Sequence, residues 1–438
     1  MINFFLISLG IFNTLTFYKD WKKIFLIFIF IFPYLGFIQL KISYYTKIGP
    51  LIHDIVFVLP IFIIYLSKKN FPLIPSYLKN FIIIFLIFLT FQLINPFVAN
   101  NFLVKLVGFK VWILYFFFIL IGFSFISNEN DIKKFCNFYS YICIIPFIIG
   151  IFQFIFSFLY GHIDTLTNFY NDQFLAAIST QNFSHFNLGR LTIYRIPSTF
   201  SFVAQYNNFI LISFIPIISS IYLSKNKSEK INYIIIFVIA LVAAFTNGAR
   251  GNIFYLPFFF LIFFLINNKF SLSRFINITL LTTLIIFFLY KFFPEFQNLF
   301  KLAYNFYLLD YFFNDLINIF VTNIFGYGIG SNTNAARYVG LNYLTHEGYY
   351  FKFIYEFGIF GFFLILWMFY LFNKIIFFSI LKSKQFKYNI FCKLFYSFFI
   401  LIIILNFKSG AFLDIYPTNF LFYLYLGFCL RISDNFQS

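Results

Sequence analysis

Arginines in three outward-looking segments and one histidine–glutamate pair in a fourth are the residues here best suited to chemistry on an anionic, activated substrate. Arg195 precedes Ile-Pro-Ser198-Thr199-Phe200 and then Ala204-Gln205-Tyr206, where an apolar run begins. A guanidinium beside a helix start that opens with hydroxyl residues makes an anion site. The alternative is an interfacial arginine reaching toward headgroups. Arg250 sits in Thr246-Asn-Gly-Ala-Arg250-Gly251-Asn252, a turn between two strongly apolar runs. A lone cation there is costly, and pairing with a phosphate would offset the cost. Gly326-Tyr-Gly328-Ile-Gly330-Ser331-Asn332, followed by Arg337, alternates glycines. Such a loop can close its N–H groups on an anion, or it can dip back into a bundle. It lacks the strand–loop–helix context of a dinucleotide fingerprint. The densest segment runs from Thr345-His346-Glu347-Gly348-Tyr349-Tyr350-Phe351-Lys352 to Glu356-Phe-Gly358-Ile-Phe-Gly361. His346 and Glu347 are capable proton acceptors. Lys352 and Glu356 lie one helical turn apart and can neutralise one another within a bilayer.

The elements that must carry these residues are membrane spans. The chain has 438 residues, 62% hydrophobic and 10% charged, with mean hydropathy +0.88. Soluble domains carry about 25% charged residues, and no soluble core of this size hides so much apolar surface. Apolar runs fall near 2–18, 24–40, 51–66, 81–97, 106–126, 135–159, 202–223, 231–245, 252–267, 275–292, 349–372, 388–406 and 417–431. Each is long enough to cross the hydrocarbon as a helix, giving about thirteen spans. None alternates with the period of a barrel strand. The first run lacks a basic start and a small-residue cleavage site, so it reads as a retained span. No internal repeat or pair of broken helices is visible. Residues 1–438 therefore form one polytopic transmembrane domain with two longer connections, 160–200 and 293–348.

Charge orients the spans. Short connections hold Lys19/Lys22/Lys23, Lys68/Lys69/Lys79, Lys133/Lys134, Lys225/Lys227/Lys230, Lys269/Arg274 and Lys374/Lys382/Lys384/Lys387, whereas the two long connections hold few cations. The positive-inside rule puts the lysine-rich set in the cytoplasm and the long loops, with the 246–251 turn, outside. That bias explains most of the +17 formal charge, so no nucleic-acid partner is needed. The 81 phenylalanines read as lipid-facing and packing side chains rather than sugar platforms. Four cysteines in apolar runs show no metal or disulfide spacing. Glu129 and Asp131 read as solvated surface, and His53 and Lys110 as packing or interface residues. His162 and His185 share the first long loop with Asp164 and Asp172 without ligand spacing. Neither a metal nor another cofactor is expected.

Taken in order, Arg195-Ile-Pro-Ser-Thr-Phe200, Gly248-Ala-Arg250-Gly251, Gly326-Tyr-Gly328-Ile-Gly330 and Glu347-Gly-Tyr-Tyr-Phe-Lys352 with Glu356-Phe-Gly358-Ile-Phe-Gly361 resemble the O-antigen polymerase and ligase superfamily (Wzy and WaaL types). The likeness covers about 190–365; the flanking spans match only in general character. It departs from ligase-like members in placing Glu347, not asparagine, after His346. It also offers Lys301 where an early loop arginine is common, with Arg337 as a substitute. The resemblance implies an all-α, GT-C-like bundle of 12–14 transmembrane helices in a bacterial cytoplasmic (inner) membrane, its active site facing the periplasm. It implies a metal-independent glycosyltransferase that joins polyprenyl-diphosphate-linked oligosaccharide repeats into O-antigen or capsule-type polysaccharide. Arg195, Arg250 and Arg337 would hold the diphosphate. His346 and Glu347 would be catalytic, and Tyr349, Tyr350, Lys352 and Glu356 would position substrate. Membrane lipids and a chain-length regulator would be its other partners. Two alternatives stand beside it: a ligase moving finished glycan to lipid A–core, and a flippase for lipid-linked oligosaccharide. The flippase predicts charged residues lining a path through several spans.

Overall fold

A computed structural model describes residues 2–45, 51–67, 74–94, 102–180, 185–188, 191–249, 251–267, 297, 324–332, 348–384, 386–405, 413 and 415–434. The apolar runs fold as helices because a backbone in hydrocarbon must satisfy its own hydrogen bonds. In chain order these are α1 (Ile2–Thr16), α2 (Trp21–Tyr45), a π-helical turn (Asp54–Val58) leading into α3 (Leu59–Ser67), and α4 (Ser76–Ile94). Next come α5 (Phe102–Ile113), α6 (Phe118–Phe125), α7 (Glu129–Tyr160), α8 (His162–Tyr170) and α9 (Gln173–Ser179). The hairpin β1 (His185–Leu188) and β2 (Leu191–Tyr194) precedes α10 (Val203–Leu223), α11 (Lys227–Thr246) and α12 (Asn252–Asn267). The last are α13 (Tyr349–Lys382), α14 (Asn389–Leu405) and α15 (Thr418–Ser433). Every expected span except 275–292, which lies outside the described residues, falls on one of these helices. Among the described residues, seven helical stretches are long and apolar enough to cross a membrane by length and composition. This is a polytopic helical membrane protein. The connection expected at 160–200 is not plain loop: it carries α8, α9 and the antiparallel hairpin, in which His185 pairs with Tyr194.

Burial ranks the helices. In α10, 83% of the most apolar stretch is buried, against 28% in α11 and 28% in α4. Helix α10 is therefore central, while α4 and α11 turn large apolar side chains such as Ile87, Ile235 and Val238 outward, as lipid-facing helices do. Close approach is steepest between α6 and α15. A Cβ on Gly122 would strike the Leu424 carbonyl, and one on Gly427 the Ile119 carbonyl. Helix α7 starts at a capping box: Asn128 Oδ1 accepts from the Asp131 N–H at 3.1 Å, and Asp131 Oδ2 accepts from the Asn128 N–H at 3.2 Å. The Glu129–Asp131 segment thus has a structural task beyond being solvated.

The helix ends sort by charge. Lys22 Nζ donates to the Phe125 carbonyl at 3.2 Å, and Phe125 packs on Phe135 and Phe428. Lys133 pairs with Glu229 at 4.0 Å, and Arg431 lies over the Phe123 ring. The starts of α2, α7 and α11 and the ends of α6 and α15 therefore gather at one pole. At the opposite pole the end of α7, the start of α10 and the end of α11 meet, as the contacts below show.

Among the described residues, the expected 106–126 span is divided between α5 and α6, and two longer helices, α2 and α13, carry a break within them. Helix α2 contains Pro33, and α13 leaves helical geometry at Gly358 (φ 66°, ψ −153°). No proline marks the second break; it requires a residue without a side chain.

Candidate functional site

The segment after Arg195 is a wedge. Thr199 Oγ1 donates to the Pro33 carbonyl at 2.8 Å, while the Thr199 carbonyl accepts from the Phe37 N–H at 2.9 Å. Thr199 thus supplies both halves of the bond that Pro33 and Phe37 would make in an unbroken helix. Gly36 admits the wedge, since a Cβ there would meet the Phe200 and Ser201 backbone. Ser198, at φ 53°, donates its hydroxyl to the Pro146 carbonyl, and its N–H reaches Gln153 Oε1 at 2.9 Å. Gln205 Oε1 accepts from both the N–H and the hydroxyl of Ser201, at 3.0 and 2.6 Å. The hydroxyl residues expected to build an anion site at this helix start are committed to α2, α7 and α10. That part of the expectation is corrected: buried hydroxyls take backbone acceptors because an unmade bond there is costly.

Arg195 itself is half-buried and lies against the second motif. The Ile196 N–H donates to the Asn247 carbonyl at 3.0 Å, and a Cβ on Gly248 (φ 72°) would collide with the Tyr194 carbonyl. The turn is set by three buried asparagines. Asn247 Nδ2 donates to Asn207 Oδ1 at 3.1 Å; Asn247 Oδ1 accepts from the Ala249 N–H at 2.8 Å and from Asn252 Nδ2 at 3.3 Å. Beside them, His162 stacks on Tyr194 with ring centroids 4.9 Å apart, and its Nδ1 meets Ser157 Oγ at 2.9 Å. Burial, with His185 adding to it, pushes the His162 imidazole down to about 4.

The glycine loop closes on a carboxyl group that belongs to the protein. Glu356 is fully buried. Its Oε1 accepts from the Asn332 N–H at 3.0 Å, with the Gly330 backbone also bonded, and its Oε2 accepts from Trp112 Nε1 at 2.7 Å. Lys352, one turn earlier, adds a favourable charge interaction. Three backbone bonds then fill the break in α13. The Tyr327 N–H donates to the Tyr355 carbonyl at 2.8 Å, the Gly328 N–H to the Glu356 carbonyl at 3.0 Å, and the Ile359 N–H to the Ile324 carbonyl at 3.0 Å. A Cβ on Gly326 (φ 75°) would strike the Glu356 carbonyl, and one on Gly330 the Val104 carbonyl. Of the two readings of this loop, the turn that dips into the bundle is the one observed. At the start of α13, Tyr349 is buried and Tyr350 donates its hydroxyl to the Ile403 carbonyl at 2.9 Å.

A second buried charge centre was not anticipated. Asp54 forms an ion pair with Lys110, and His53 Nε2 lies 3.2 Å from Asp54 Oδ1 and 2.7 Å from Tyr115 Oη. The Tyr115 hydroxyl also reaches Asp54 Oδ1, at 3.3 Å. His53 and Lys110 are thus partners of one carboxylate rather than packing or interface residues. A carboxylate inside the 51–66 apolar run was the available signal, because such a charge needs a partner somewhere.

The four motif segments meet in two pairs: Arg195 with the 246–251 turn, and the 324–332 loop with the start of α13. Arg250, Arg337, His346 and Glu347 lie outside the described residues. Among the described residues, no three His, Cys, Asp or Glu side chains come together as a metal site. All four cysteines are free and buried. No protein-family model and no curated protein matches the chain.

Proposed function

We propose that this chain is a polytopic glycosyltransferase of the O-antigen polymerase type, joining polyprenyl-diphosphate-linked oligosaccharide repeats on the outer face of a bacterial cytoplasmic membrane. The observation that carries the reading is the junction of Ile196 with Asn247 and of Gly248 with Tyr194–Arg195. It joins two arginine-bearing motifs at the pole opposite the lysine-bearing helix ends. The positive-inside rule would turn that pole outward.

In the proposed reaction the acceptor sugar hydroxyl attacks the anomeric carbon of the donor. The new glycosidic C–O bond forms as the bond to the diphosphate breaks, and the diphosphate leaves with the electron pair. Arg195 and Arg250, with Arg337, would stabilise that anion. His346 or Glu347 would take the hydroxyl proton. Tyr350 and Glu356, with the bonds described, serve this site by fixing the α13 start and the glycine loop.

The test is Arg250→Ala in cells that make a polymeric surface glycan. Short chains at normal protein level are expected; unchanged chain length overturns the reading. Loss of polymer with single repeats still attached to lipid A–core marks a polymerase, whereas loss of all attached glycan marks a ligase. The Asp54–Lys110 pair favours one second reading, a flippase for lipid-linked oligosaccharide, because it puts charge within the spans. That reading predicts that Asp54→Asn strands lipid-linked oligosaccharide on the inner leaflet.

A further inference from the structure

The His53, Asp54, Lys110 and Tyr115 cluster plays no part in the proposed glycosyl transfer, and its chemistry stands apart from it. Stability does not account for it: well-packed apolar residues commonly replace a buried ion pair with no loss of stability. The backbone is adapted to it, since Asp54 opens a π-helical turn, Asp54–Val58, a geometry that often marks functional positions. Two buried atoms of the cluster make no hydrogen bond, Asp54 Oδ2, which is met by the Lys110 charge, and His53 Nδ1. Asp54 Oδ2 faces Lys110, and Asp54 Oδ1 faces His53 and Tyr115. With the Tyr115 hydroxyl donating to Asp54, its oxygen accepts from His53 Nε2–H. His53 Nδ1 is left as a bare lone pair with no hydrogen-bond partner among the described residues, on a side chain only 4% exposed. The Tyr416 ring lies beside it, with centroids 4.6 Å apart.

We propose that His53, Asp54, Lys110 and Tyr115 form a proton-binding site within the span region, in which His53 Nδ1 takes up a proton and Asp54 carries the compensating charge. Hydronium is the ligand. The lone pair of Nδ1 forms the new N–H bond, water is released, and no other covalent bond changes. The imidazolium then donates through Nε2 toward Asp54 and Tyr115, both already within reach. Burial opposes uptake most, Asp54 favours it and Lys110 opposes it, so the two ends of one ion pair act on His53 with opposite sign. Among the described residues, Tyr115 and Tyr416 are the other titratable groups facing the site, from the turn between α5 and α6 and from the turn before α15.

The experiment uses the full-length chain with ¹⁵N-labelled histidine in vesicles of phosphatidylethanolamine and phosphatidylglycerol, read by solid-state NMR from pH 8 to pH 4. The chain has 4 histidines, and the ring missing from the His53→Gln spectrum is that of His53. Uptake predicts that this ring moves from the neutral to the imidazolium pattern as pH falls. Asp54→Asn should cut the imidazolium fraction at pH 4 about tenfold, and Lys110→Gln should raise it. A ring that stays neutral throughout in the unmodified protein overturns the proposal, as does a titration that neither variant moves. If Asp54→Asn fails to assemble, the unmodified chain and Lys110→Gln decide the matter. Glycan synthesis is not read, so either outcome leaves the proposed transfer reaction standing.

Discussion

Helices α2 and α13 are both broken inside apolar sequence, and each break is filled by a segment that the sequence marks as a motif. In α2 the filler is one residue: the Thr199 hydroxyl and carbonyl take the places of the groups that Pro33 and Phe37 would have used on each other. In α13 the filler is a stretch of main chain, with three N–H to carbonyl bonds between residues 324–328 and 355–359. The α2 plug also needs room at Gly36, but its donor is a side chain, so position 199 tolerates any residue with the same donor. A backbone plug depends on the absence of side chains, because two main chains must touch. The two repairs should therefore fail in different ways.

Gly358→Ala tests the difference most severely. Its φ of 66° with ψ of −153° lies in a region reserved for glycine, which by itself costs about 1–3 kcal/mol. The added methyl also collides with the Ile324 carbonyl. Thermal unfolding in detergent should show a loss on the order of 3 kcal/mol, with faster amide exchange at Tyr327 and Gly328; unchanged exchange would break the comparison. Glu356→Gln is next, at about 2 kcal/mol, since one charge-assisted acceptor is lost from the loop. The indole emission of Trp112, recorded with Trp21 and Trp367 replaced by phenylalanine, should shift as its hydrogen bond weakens. Thr199→Val keeps the shape but removes the donor, leaving the Pro33 carbonyl unmet at a cost of about 1–2 kcal/mol. Thr199→Ser should recover most of that. If valine and serine behave alike, the plug in α2 works through its carbonyl alone.

The smallest effect concerns His162, beside the Arg195 end of the first wedge. Its folded value of about 4 lies below the ordinary 6.5. The unfolded chain therefore binds this proton first as pH falls. The contribution of His162 to stability is complete above about pH 6.5, declines as pH drops toward about 4, and is level below that. A melting series from pH 7.5 to 4 should show this slope, and His162→Gln should remove that component. A slope that persists unchanged would assign it to other groups.

Much of the architecture was legible in the sequence because membrane spans announce themselves by length and hydropathy alone. Apart from α8 and α9, which lie in the expected 160–200 loop, the helices from Ile2 to Ser433 fall where the apolar runs do, and 275–292 is the one run without a described counterpart. What failed to show were partnerships across the bundle. Asp54 is adjacent to His53, but its cation is Lys110, on another helix and far along the chain, and nothing in the local pattern of either residue names the other. The hydroxyls of Ser198 and Thr199 looked available because their acceptors, the carbonyls of Pro146 and Pro33, are invisible in a linear reading. The glycine alternation at 326–330 left two readings open, N–H groups closed on an anion or a turn dipping into the bundle. The carboxyl group it closes on is that of Glu356, a residue already singled out, but as a partner for Lys352 rather than for the loop.

The contact between Gly122 and Gly427 has a consequence for biogenesis. Helix α6 leaves the ribosome some 300 residues of synthesis before α15, a wait of roughly 15–60 s at ordinary elongation rates. During that interval Gly122 and the carbonyls around it have no partner helix, and the early spans must persist in the bilayer as an open half. The final helix then enters as a closing piece whose fit admits no methyl group at either glycine. Quality control that samples the nascent bundle would find a long-lived vulnerable surface on α6, and the arrival of Gly427 would end that exposure.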